Sequence, residues 1–517
     1  MLVRVNSNAW QLAAMTVQSK KPNLAYWTNT VTLATGTNWV EVKAEDTSLN
    51  AGVMTAKYFV RVASPLVLAT NGSGSLTVLT PPPVSTNQYY VGRSYSLSCV
   101  PPAGNLFSNV MANGTTVLYS ATPAKTAQSG ATVSFRMQTN LTLTGNFMPN
   151  RFIGAAGNYY GLFSDTNGVA HQSAGFITFK TTSQLKFTGS LYLEGEKVSF
   201  AGTFNLAGVG TLKKPALRKG MINEPINVVP QLDLTGAGRI TGMVSNGAWS
   251  ATIDADPQLA YTNNSWTWGL TGRQYTMVVP GSANAAAEPG GDGYSLISIA
   301  ADANGAVWIS AAGYFGDGQQ GKPIKVPPSQ AGRWPFYAPL CKYFRTPTAP
   351  AGPAVTTYRG SVLGWLRFTN SNVQGDLDWN KAGWTNGIYD AGFSNRIAVA
   401  GSPYVAPALL SGAHVIAITN GQATLSDGNL GAPVLTEFDW TDANKLVFAK
   451  PLTLANPNAL TLTVNYKNGE LKGSFLLNPP NKLSKRNIYG AVLQNLNLGY
   501  GNFKGTNQSG SILLQGN

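Results

Sequence analysis

Apolar and polar residues alternate one by one along most of the chain, in short runs. Tyr466-Lys-Asn-Gly-Glu-Leu-Lys-Gly-Ser-Phe-Leu476 is the plainest case, with strand formers alternating on both sides of Asn468-Gly469. That pair suits the two positive-φ positions of a tight hairpin turn. Variants recur at 185–191, 238–244, 304–308 and 373–379, each a glycine before or after an alternating strand. A chain that repeats one hairpin builds sheet by local antiparallel pairing. The expected fold class is all-β: two small N-terminal β modules, then a large antiparallel region, barrel or sandwich, of two or three degenerate repeats.

Taken in order, residues 1–64 hold short strands, among them Leu2-Val-Arg-Val and Lys57-Tyr-Phe-Val-Arg-Val. Pro65 opens a second unit, 65–149, with strands near 66–78, 91–100 and 133–147. From 150 strands follow at roughly the eight-to-twelve-residue spacing of sandwiches and barrels. The pattern restarts at Arg273-Gln-Tyr-Thr-Met-Val-Val, and a weaker pass begins with His414-Val-Ile-Ala-Ile, read as a strand. The expected repeats are 150–280, 281–410 and 411–517, the last completing the same barrel, in a meandering antiparallel sheet that curls into one or two barrels. Ser282-Ala-Asn-Ala-Ala-Ala-Glu288 is the best helix candidate, but Pro289-Gly290 stops it. It is too short to stand alone and reads as a linker.

Three stretches carry resemblances. Gly36-Thr-Asn-Trp-Val-Glu-Val-Lys-Ala-Glu-Asp46 resembles the late strands of bacterial immunoglobulin-like modules, and 1–64 looks like such a module without its opening strands. The strands of 66–147, with Pro102-Ala-Gly-Asn-Leu-Phe107, resemble a divergent B-repeat of internalin-type surface proteins; Val110 stands near the place of the usual tryptophan. The remainder, through Gly157-Asn-Tyr-Tyr-Gly-Leu-Phe163, Trp334-Pro-Phe-Tyr-Ala-Pro-Leu340, 360–366 and 499–510, is similar to β-rich regions of large secreted or surface-attached bacterial proteins. These resemblances imply a spacer-like N-terminal part and an extracellular or cell-surface location. They imply no chemistry.

Composition agrees. At 517 residues the chain exceeds one core, and about three or four domains are expected. Only 11% of residues are charged, against about 25% in typical globular proteins; Thr, Ser, Asn and Gly take their place and suit strands and turns. The net charge of +14 is spread out, and its densest clusters, Lys213-Lys214 to Lys219 and Lys482 to Arg486, lie beside prolines and read as solvated loops. A specific nucleic-acid surface would concentrate that charge on one face. Cys99 and Cys341 lie far apart, so no disulfide is expected between them. The start lacks a signal-peptide pattern, and no apolar run is long enough for a membrane helix. A membrane β-barrel would need a continuous apolar outer band about 25 Å tall, which too few segments support.

Chemistry has little material. There are two histidines, His171 after a turn and His414, and no nucleophile elbow, metalloprotease motif or phosphate loop. Each histidine reads as satisfied or solvent-facing. The paired carboxylates Asp254/Asp256 and Asp376/Asp378 are two apart, so each pair shares one strand face at a separation compatible with glycoside chemistry. Asp376 and Asp378, beside Trp379, are the catalytic candidates if the protein is an enzyme. No cofactor is expected; Asp292, Asp302 and Asp317 sit in turns where calcium is conceivable, without regular ligand spacing. Aromatics crowd into 308–384. In Gly364-Trp-Leu-Arg-Phe368, alternation puts Trp365 and Arg367 on one face. Trp334, Tyr337, Trp365, Arg367, Trp379 and Trp384 are the binding candidates, since carbohydrate faces and protein interfaces both use such rings.

The functional expectation is extracellular binding, adhesion or scaffolding, with a polysaccharide or cell-surface component as partner. The alternatives are a polysaccharide-acting enzyme and a self-assembling surface-layer or fibre subunit.

Overall fold

Alternation along the chain becomes alternation of burial. In Glu196–Phe204, Val198, Phe200, Gly202 and Phe204 turn inward while Lys197 and Ser199 face out. The chain, seen here in a computed structural model, is described except for 19–20, 53–54, 121–123, 166, 220, 222–223, 237, 260–271, 347–352, 370–371, 385–386 and 409–412. It divides into two compact units, Met1–Asn150 and Arg151–Asn517. Among the described residues the one α-helix is Ala124–Ser129; residues 282–288 form no helix, with a turn at 285–287.

Met1–Asn150 holds a four-stranded sheet, a two-stranded hairpin, and sheets of three and five strands. In the five-stranded sheet Leu141–Pro149 pairs parallel to Ala63–Asn71. Tyr95, Leu97 and Cys99 of Ser94–Val100 bury one face of their strand. Val110 is itself fully enclosed.

Arg151–Asn517 repeats one topology three times. Each of three sheets has eight antiparallel strands paired with their sequence neighbours, and the first strand also pairs with the last. Those closing pairs are Gly157–Ser164 with Ser250–Pro257, Gln274–Val279 with Gly392–Tyr404, and Asn420–Asp427 with Ser509–Gly516. The remaining gap is bridged by Val209↔Gln231 and Ala216↔Ile226 in the first sheet. In the second it is bridged by Ile309↔Val326 and by Ile324 N–H donating to Tyr337 O at 2.9 Å. These are up-and-down, barrel-like sheets, called below the first, second and third barrels. Each is filled by rings, such as Phe187 against Phe204 (4.7 Å), Trp334 against Phe368 (5.7 Å) and Phe475 against Phe503 (4.7 Å).

Two local expectations need correction. The turn at 466–469 spans four residues, since Asn465 pairs with Glu470. Gly469 takes the left-handed position (φ +74), while the Asn468 side chain accepts from Glu470 N–H at 3.1 Å. The segment from His414 is no strand. Val415, Ile416 and Ile418 plug the third barrel's core, because a run apolar on successive residues satisfies a plug as well as a doubly buried strand.

Candidate functional site

The first and second barrels are sewn together by ions and rings. Ser250–Pro257 turns Ala251, Ile253 and Ala255 inward and Thr252, Asp254 and Asp256 towards the second barrel. Arg333 donates twice to Asp256, at 2.6 and 2.9 Å, and to Asp254 at 3.1 Å. Arg239 pairs with both aspartates as well. Asp256 is thereby wholly enclosed, with its charge matched. His171 is buried in the same seam, its ring 2.9 Å from Ser361 Oγ and 2.8 Å from Tyr358 O. Burial pushes its pKa down, partly offset by the Tyr358 carbonyl, so it is a satisfied, neutral histidine.

Beside this seam opens a groove of about 760 Å³. The first barrel contributes Ser164, Asp165, Thr252 and Asp254; the second contributes Trp365, Asp376, Asp378 and Arg396. In Val373–Ala382, Leu377 and Trp379 are buried while Asp376 and Asp378 face outward. Asp378 sits directly across from Arg396, whose guanidinium lies 3.2 Å from Asp376 and 3.9 Å from Asp378. Burial raises the Asp378 pKa; Arg396 opposes the rise and Asp376 adds to it. Trp365 falls opposite Asp376 in the register set by Leu363↔Asp378 and Leu366↔Gly375. The Arg333 guanidinium covers one face of its ring at 3.9 Å from the centroid.

The sequence-predicted residues are thus divided. Trp365, Asp376 and Asp378 line one groove. Trp334 and Trp379 are 0% and 2% exposed and fill the second barrel. Tyr337, also 0% exposed, lies in the seam, stacked on Phe176, with its hydroxyl accepting from Gly195 N–H at 2.9 Å. No surface ligand reaches these three rings. Arg367 is exposed on the outer face. Trp384 stands elsewhere, half-exposed, with Arg359 5.1 Å from its ring and 4.3 Å from that of Tyr343. The stretch Trp384-Thr-Asn-Gly387, which reads as a turn, includes 385–386, outside the described residues. Neither Arg333 nor Arg396 was among the candidate site residues.

Among the described residues no group of three or more His, Cys, Asp or Glu could hold a metal ion. Asp302 is engaged by Asn304 N–H, Ala306 N–H and the Trp308 indole. Asp292 accepts from Gly281 N–H at 2.9 Å, and Asp317 lies 3.9 Å from Lys381. What the groove offers chemically is clustered acceptors, the guanidinium of Arg396 and the indole of Trp365.

No family model matches the sequence, and no curated protein matches it. Among solved structures it is similar to the isotype 1 transferrin binding protein B (TbpB) from serogroup B Neisseria meningitidis. The identity is 11% and the TM-score 0.17, over 99% of this chain and 88% of that one.

Proposed function

We propose that the chain is an extracellular or cell-surface binding protein and that the groove between its first and second barrels holds a carbohydrate. In this reading residues 1–64 and 65–149 are spacer modules, of immunoglobulin-like and B-repeat type, and the regions 150–280, 281–410 and 411–517 carry the binding surfaces. The observation that supports it is Trp365 opposite Asp376 in a groove that also holds Asp378 and Arg396. Carboxylate and guanidinium groups together satisfy sugar hydroxyls as acceptors and donors, and an indole covers the apolar face of a ring. A glycan array probed with intact protein, Trp365→Ala and Asp376→Asn tests this. Selective hits that weaken at least about tenfold in both variants, about 1.4 kcal/mol, are expected. Absence of any hit, or hits indifferent to both changes, would discard the reading.

Two observations favour other readings. Asp378, with its raised pKa, beside the more exposed Asp376 has the makings of an acid and base pair. Polysaccharide cleavage would then appear as shortened products when array hits are incubated with the protein. In Met1–Asn150, Thr55–Arg61 is an edge strand with Tyr58, Phe59 and Val60 exposed. Such an edge favours self-association, which sedimentation at rising concentration would reveal as a growing mean mass.

A further inference from the structure

On the outer surface of the first barrel, four neighbouring strands present an unbroken polar and aromatic face. The cross-strand pairs Asn158↔Lys180, Tyr160↔Thr178, Thr178↔Ser190, Phe176↔Tyr192, Ser190↔Ser199 and Tyr192↔Lys197 place these side chains in register. The second barrel walls the face with Trp308, Ile324 and Lys325, which leaves a groove of about 590 Å³. Tyr160, Tyr192 and Trp308 are each partly exposed within it. Lys180, Lys197 and Lys325 are exposed along its length. Lys325 lies 5.2 Å from the centre of the Trp308 ring and Lys197 6.0 Å from that of Tyr192.

The electrostatics are the reverse of the acidic groove. Among the described residues lining this groove, none carries a carboxylate. Asp302, within electrostatic reach of Lys325, accepts from the Trp308 indole and two backbone N–H groups. Three ammonium groups therefore face a concave surface with no acid on its lining. Between them stand the hydroxyls of Thr178, Thr188, Ser190 and Ser199, short groups that can both donate to and accept from a polyol. Aromatic rings set beside cations and hydroxyls match sugar rings that bear negative groups.

We propose that this groove binds an anionic polysaccharide, a chain of sugar rings carrying carboxylate or sulfate groups, with Trp308 and Tyr192 against the rings and Lys180, Lys197 and Lys325 on the charges. A single-stranded nucleic acid would also answer to positive charge and rings. The groove nevertheless offers no arginine on its lining, and its hydroxyl-rich floor pairs better with a polyol than with base edges. This site does not depend on the acidic groove, and either can fail without the other.

The test uses the full chain and affinity electrophoresis through gels holding dextran, dextran sulfate or polygalacturonate, with oligo(dT) as competitor. Two variants of equal net charge are compared: Lys180→Glu/Lys197→Glu/Lys325→Glu in the groove, and Lys213→Glu/Lys214→Glu/Lys450→Glu on exposed positions elsewhere. Retardation by both charged polymers and not by dextran is expected, lost at least about tenfold in the groove variant and kept within about twofold in the other. Trp308→Ala is expected to weaken retardation about fivefold with the net charge unchanged. Equal loss in the two charge variants, indifference to Trp308→Ala, or displacement by oligo(dT) at lower concentration than by free polygalacturonate would each overturn the proposal. A near-ultraviolet circular dichroism spectrum unchanged from the parent shows that a variant is folded.

Discussion

Arg333 is the residue on which the first-to-second barrel seam most depends. It gives Asp256, which water does not reach, its two-point partner, and it leans on Trp365. Replacing it with alanine leaves Asp256 only Arg239. A buried carboxylate stripped of its main partner costs more than the pair contributes. Arg333→Ala is expected to lower unfolding stability by about 2–4 kcal/mol, read from chemical denaturation, with Arg333→Lys recovering only part because one ammonium cannot make the two-point contact. A loss below about 0.5 kcal/mol would mean that Arg239 compensates in full. At this scale the sequence was informative about faces and silent about partners. A period of two put Asp376 and Asp378 on one face, but the same period places Trp379 on the opposite one, where it is core. Arg396 reaches the pair only through cross-strand register, which alternation along one strand does not encode.

Whole strands, connections and turns show a second limit. Gly189 and Gly202 are interior to strands, and a Cβ on either would come within 2.5 Å of the ring of Phe200 or Phe187. At both positions, the first of them within the hairpin phrase at 185–191, glycine clears room for an aromatic ring and does not turn the chain, a distinction that depends on the neighbouring strand. The connection from Gln274–Val279 to Gly293–Ala301 depends on Asp292, which holds Gly281 and is itself tied to the third barrel through Asn502 Nδ2, donating to Asp292 O at 2.8 Å. Burial raises the Asp292 pKa to about 6, above its unfolded value of about 4. The folded form therefore holds the proton more tightly, so this residue's contribution to stability falls as pH rises from about 4 to about 6 and stays low above that. Asp292→Asn keeps an acceptor for Gly281 and removes the titration. Unfolding free energies of Asp292→Asn measured from pH 4 to 8 are expected to converge with the parent in acid and exceed it above pH 6, by an amount on the order of 1–3 kcal/mol. Parallel curves would remove Asp292 as the source.

For the molecule as a whole, the two units make a direct prediction. Arg151–Asn517 contains all three barrels and its own cores. Expressed alone, it is expected to melt cooperatively within a few degrees of the corresponding transition in the full chain; a fragment without a transition would refute its independence. Cys99 and Cys341 lie in different units, are buried, and have thiol pKa values pushed by burial to about 12 and about 11. An aromatic disulfide reagent at pH 8 is expected to titrate neither thiol in the native protein and both in guanidinium, because the thiolate is the reactive form. The all-β class was legible because low charge, abundant turn residues and repeated hairpins all favour local strand pairing. The closing pairs were not, since Tyr159↔Pro257 joins residues too far apart in sequence for any periodicity to link. That closure has one more consequence. A ring of strands whose first and last members lie side by side has its entrance and exit on one seam, so its genetic ends are a convention. The same barrel, reopened at a turn on the far side and joined by a short peptide across the old ends, encodes an equivalent ladder. A permuted gene of this kind is expected to fold to the same ring of strands, since its new ends fall at a turn and its old ones already lie side by side.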